Sequence, residues 1–181
     1  YLGPPEDARG NGYASVSVGK IYHHGNDDPE GWTEEPSRAQ GLWQGRGYLT
    51  DEAIEVMTRN DEKNAAAGSN RRGLGPAFEA ADVDDRDYRD GGEADAAVRK
   101  LRQLQGSDFF LGVGFWKPHL PFCCPKKYWD MYPEDDVPLA PNPFEPEGAT
   151  EYSLTNFGEL RGYFGIPDEG PAPDGLARKL V

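Results

Sequence analysis

Residues 109–121 read FFLGVGFWKPHLP. An apolar, aromatic-rich run bounded by turn residues predicts a buried β-strand. Pro118 has no N–H to give to a ladder, so the strand is expected to end near Trp116. Lys117 and His119 then fall just past the strand end, where α/β folds place their chemistry. Upstream, residues 93–105 predict a helix with Ala94, Ala97, Val98, Leu101 and Leu104 on one stripe. Acids stand at its start, Lys100 and Arg102 near its end, and Gly106 is a fitting C-terminal cap. Helix and strand together read as an αβ unit, and the class as α/β.

A second strand is expected over residues 13–18, which alternate as a strand does. It runs into Gly19-Lys20-Ile21-Tyr22-His23-His24-Gly25, which places Lys20 and His23 at another strand end. His24 reads as a polar neighbour. Asp27 and Asp28 are oxygen donors of the kind calcium takes, but they lack the spacing of a calcium loop and read as solvated acid. Trp32 and Trp43 are expected to pack this loop down. Residues 50–60 predict a helix, with Thr50 as cap and Ala53, Ile54 and Met57 on one face. Residues 1–11 read as loop, 61–72 as polar chain with a small basic patch at Arg71-Arg72, and 73–92 as an irregular connection. Residues 126–132 predict a short aromatic helix. The prolines at 133, 138, 141, 143 and 146 forbid regular structure over 133–148. Short helices are expected within 155–163 and from Leu176 onward.

The 181 residues suffice for one domain with a sizeable core, and 36% hydrophobic with 28% charged residues suits a globular chain. A net charge of -13 repels nucleic acid phosphates and anionic membranes, which discounts both as partners. No apolar run approaches the roughly 20 residues needed to cross a bilayer. The chain starts at Tyr1 with no leader pattern, so it reads as a piece of something longer. Cys123 and Cys124 are adjacent, a placement that does not meet disulfide geometry.

Six segments together resemble one family: GKIYHHG (19–25), DDPEGW (27–32), FFLGVGFWKPHLPF (109–122), PKKYWDMY (125–132), NFGELRGYFGIP (156–167) and GLARKL (175–180). The chain resembles the sulfatases, in their iduronate-2-sulfatase-like branch. KPHLPF in its strand context is the most specific segment. The resemblance implies the middle portion, residues 1–181, of a single alkaline-phosphatase-like catalytic domain. That domain has a mixed sheet with flanking helices and is here incomplete at both ends. It implies hydrolysis of a sulfated carbohydrate by a formylglycine nucleophile with calcium, and a periplasmic or extracellular location. By the family pattern Lys20 contacts sulfate and the nucleophile, and His23 assists at the nucleophile. His119 binds sulfate beside the leaving oxygen, and Lys117 faces the substrate.

The chemistry suits those roles: a lysine offsets charge on the sulfate oxygens, and a histidine can protonate a departing oxygen. The chain departs from the pattern in lacking Cys/Ser-x-Pro-x-Arg. Cys123-Cys124-Pro125-Lys126-Lys127 ends in lysine and follows KPH directly, so Cys123 is rejected as nucleophile. The aspartates expected to hold calcium are also missing, so the nucleophile and metal ligands are expected outside this chain, which alone is expected to be silent. Two other readings stand: a non-catalytic descendant that binds sulfated glycans or scaffolds a partner, and a phosphoesterase of the same fold.

Overall fold

The computed structural model describes residues 3–23, 26–39, 47–70 and 72–180. His24, Trp43, Arg71 and Val181 lie outside them. The chain divides into two compact units, Tyr1–Trp43 with Val83–His119 and Gln44–Asp82 with Leu120–Val181.

In the first unit, Pro4–Gly10 forms α1 where a loop is expected from the sequence. Proline in the first turn fixes φ at a helical value, Glu6 and Asp7 suit the positive helix start, and Glu6 accepts from Gly3 N at 2.8 Å. Ala14–Gly19 forms β1 and, after α2 (Asp51–Ala66) of the second unit, Arg89–Gln103 forms α3. Phe109–Gly114 forms β3. β1 and β3 pair in parallel, Ala14 opposite Phe109 through Gly19 opposite Gly114. Along the other edge of β1, Thr33 N donates to Ser15 O, Ser37 N to Ser17 O and Gly19 N to Ser37 O. β1 is therefore central, with α1 and α3 against it, and Val16 and Val18 are fully buried.

Two expectations are corrected here. The 109–115 run is a strand, as expected, but it is half-exposed rather than buried: Phe109, Val113 and Phe115 each show more than a third of their surface. Among the described residues β3 pairs only with β1. The helix begins at Arg89, four residues early, and buries Glu93 together with Ala97 of the expected stripe, while Val98 and Leu101 of that stripe are nearly half exposed. Its packing face is set by the carboxylate of Glu93, which a hydrophobic pattern does not weigh.

In the second unit Asp51–Ala66 forms α2, capped as expected by the Thr50 side chain but extending past 60 into the stretch read as polar chain. Phe78–Ala81 forms β2, a strand inside the supposed irregular connection, and pairs in parallel with β4, Phe122–Pro125. Lys126–Trp129 forms α4, Gly158–Arg161 α5 and Asp174–Lys179 α6. Buried Glu79 holds the entry to α2, accepting from Leu49 N (2.9 Å), Thr50 N (3.0 Å) and Thr50 Oγ1 (2.6 Å). Trp129 stacks on Phe78 with centroids 5.5 Å apart. The proline-rich stretch after Tyr132 carries only a short 3-10 turn at Glu134–Asp136. The result is an α/β chain with small parallel sheets.

Candidate functional site

Lys20 and the loop after β3 meet because β1 and β3 are parallel and in register: both chains leave the sheet at the same end. Lys20 N donates to Gly114 O at 2.8 Å, which ties the two exits together. Gly19 sits at φ +80, and a Cβ there would collide with the Gly114 carbonyl oxygen, so this approach needs glycine.

Trp116 is the ring on which the candidates gather. Lys20 Nζ lies 5.7 Å from its centroid and Arg89 Cζ 4.3 Å, both within cation–π range. The His119 ring meets the indole edge-on at 6.4 Å. A turn returns the chain to that ring, with His119 N donating to Trp116 O at 2.9 Å. The Lys117–Pro118 peptide within the turn is cis. Lys117 Nζ donates to His119 O at 3.2 Å. Lys117 and His119 are exposed and Lys20 is half-buried.

The structure thus brings Lys20, Lys117 and His119 to one end of the small sheet. His23 is exposed, and its carbonyl accepts from Asn26 N at 3.0 Å. Near it, burial and the carboxylates of Asp28, Asp27 and Glu6 raise the Tyr22 phenol above its usual range. Cys123 is buried in β4 of the second unit, and Cys124 is half-buried beside it.

Three residues of the first turns of α3 were not singled out by sequence reasoning. Asp90 accepts from Trp116 N at 2.8 Å and from Lys117 N at 2.9 Å, one carboxylate oxygen to each. Arg89 adds a second cation beside the indole, and its Nε lies 3.4 Å from Glu93 Oε1. Glu93 is wholly buried, and its other oxygen accepts from Ala39 N at 2.9 Å. No local pattern marks Asp90, because its partners lie 26 and 27 residues on.

The arrangement offers cations and an imidazole at a solvent-facing sheet end, with the nearby carboxylates occupied by amides and a guanidinium. That suits an anion, since the acids that would repel it already have donors. No group of three or more His, Cys, Asp or Glu converges among the described residues, so the donor set does not form a calcium cage. A cavity of about 520 Å³ in the second unit, lined by Phe122, Tyr128, Trp129 and Tyr132 among others, contains none of the candidates. No helix among the described residues is long and apolar enough to cross a membrane.

No protein-family model matches the chain. Among curated proteins it is similar to the iduronate 2-sulfatase of Mus musculus, 27% identical over 97% of this chain and 32% of that protein. It is similar to the iduronate 2-sulfatase of Homo sapiens, 27% identical over 87% of this chain and 28% of that protein. A sulfatase of Formosa agariphila is 26% identical over 76% of this chain and 26% of its own length. The chain spans about a third or less of the length of the curated relatives it matches. The resemblance read from KPHLPF and its companion segments is thus found along most of the chain, as a partial, iduronate-2-sulfatase-like sulfatase sequence.

Proposed function

From its likeness to the iduronate 2-sulfatases, we propose that this chain is the sulfate-binding part of a sulfuric ester hydrolase acting on a sulfated carbohydrate. The observation that carries the reading is the convergence of Lys20 and His119 on Trp116, at adjacent exits of a parallel sheet.

In this reading Lys20 offsets charge on the non-bridging sulfate oxygens. His119 stands beside the bridging oxygen and hands it a proton as the ester bond breaks. Lys117 faces the substrate, and His23 assists at the nucleophile. Arg89 adds long-range attraction for the anion, weakened by its ion pair with Glu93. Formylglycine would supply the nucleophile and calcium would polarise the sulfate, as the family resemblance implies. In this reading the residues that supply both groups belong to the longer protein outside this chain. The chain by itself is then silent in catalysis. In the same reading the longer protein works in the periplasm or outside the cell.

The test is hydrolysis of an aryl sulfate, and of the matching aryl phosphate, by the longer protein that contains this chain. Turnover of the sulfate with little of the phosphate is expected. His119→Ala should lower turnover by roughly 10²-fold or more. Near-normal turnover in that variant would remove His119 from the site. A preference for phosphate would favour a phosphoesterase, and no turnover with retained sulfate binding a non-catalytic glycan binder.

A further inference from the structure

The loop that carries Lys117 and His119 follows the end of β3 at Gly114. Its start is bound by a side chain from another element. Asp90, in the first turn of α3, takes the N–H groups of Trp116 and Lys117 on its two carboxylate oxygens, at 2.8 and 2.9 Å. Two consecutive amides on one carboxylate fix both the position and the tilt of the peptide between them. Hydrogen bonds to an ionised acceptor are also among the stronger ones. The preceding residue, Arg89, has its guanidinium 4.3 Å from the Trp116 centroid. One turn on, buried Glu93 ties Arg89 and Ala39 N together. The first turns of α3 therefore grip the loop at its backbone and at its indole.

We propose that Asp90 is the positioning residue of the anion site. Through the Trp116 and Lys117 amides it sets the loop so that His119 and Lys20 converge on one ring. Asp90 does not touch the anion, which its own charge would repel; its two acceptor oxygens are already engaged by the loop. The proposal rests on the reading of this sheet end as a sulfate site.

The test is titration of the protein with inorganic sulfate, followed by NMR at the His119 ring and the Trp116 and Lys117 amides. For wild type a saturable shift at His119 is expected. Asp90→Ala should weaken sulfate binding read there about tenfold, consistent with losing two charge-assisted bonds. It should also speed amide hydrogen exchange at Trp116 and Lys117 while leaving the amides of β1 protected. Asp90→Asn keeps one acceptor oxygen and should fall between the two. If Asp90→Ala does not fold, Asp90→Asn decides by the same readings. A wild-type shift with unchanged affinity in the Asp90 variants would overturn the positioning role and leave the sulfate site standing. No sulfate-induced shift at His119 in wild type would overturn the sulfate site, and the proposal with it.

Discussion

At the scale of single residues, the first unit is governed by where its carboxylates end up. Glu93 is wholly buried yet satisfied, with an amide on one oxygen and a guanidinium on the other. Asp90 is spent on two amides. Tyr22 shows the opposite case, a neutral phenol among acids. Burial, Asp28, Asp27 and Glu6 raise its pKa above the ordinary 10.0. A raised pKa means the folded state holds the proton longer than the unfolded chain does. Its contribution is therefore intact below about pH 10 and is lost as pH rises through that value toward the folded pKa. Urea denaturation of wild type and Tyr22→Phe should give a stability difference that is flat between about pH 7 and 9. Above about pH 10 the difference should shift against the wild type. A difference that does not change with pH would show that the phenol does not titrate in this surrounding.

Elements in this chain depend on a few positions where backbone meets backbone. Gly19 ends β1 at a positive φ, with the Gly114 carbonyl where a Cβ would stand. Gly19→Ala therefore meets strain twice, from the dihedral and from the contact. It should cost more than about 2 kcal/mol by denaturant titration, with protection lost at the β1–β3 pairing first. Thr50 carries two duties at the start of α2, accepting from Ala53 N at 3.3 Å and donating to Glu79 at 2.6 Å. Thr50→Ala should destabilise the second unit by about 1–2 kcal/mol, and Thr50→Ser by much less, because serine keeps the oxygen. Equal losses in the two variants would assign the effect to the methyl group instead. α3 shows why stripe reading alone misjudged a face. Of the expected stripe the helix turns Ala97 inward beside Glu93, which has polar partners there, and leaves Val98 and Leu101 nearly half exposed.

Across the whole molecule the dominant fact is charge. A net of -13 on 181 residues makes the chain repel itself, and a Debye length near 10 Å at about 0.1 M salt is enough to damp that repulsion. Thermal unfolding followed from about 10 to about 150 mM sodium chloride should show a rising Tm. A falling Tm would mean that surface ion pairs such as Arg38–Asp27 and Arg86–Asp95 outweigh the general repulsion. The same acidity makes the clustering of Lys20, Arg89 and Lys117 informative. An anion approaching this chain gains only where cations are focused, and the sheet end near Trp116 is such a place.

Much of the chain was legible from local order. The two strands of the first sheet, the Thr50 cap, the helix before Phe109 and the proline-rich crossing follow from periodicity, capping chemistry and the missing proline N–H. The likeness to sulfatases was carried by short segments such as KPHLPF, and similarity to them is found along most of the chain. Lys20, Lys117 and His119 could be named as candidates because strand ends are where side chains leave the sheet. Their gathering was not legible, because Lys20 and His119 follow separate strands that only parallel pairing in one register brings side by side. The roles of Asp90, Arg89 and Glu93 likewise needed the fold. A carboxylate looks the same in sequence whether it faces water or two amides 26 residues away, and desolvation and hydrogen bonding separate those cases only once the chain has closed. Tertiary structure also decided what was left open. β3 and the outer stripe of α3 are apolar by composition, but exposure depends on which neighbours pair with them, and among the described residues only β1 pairs with β3.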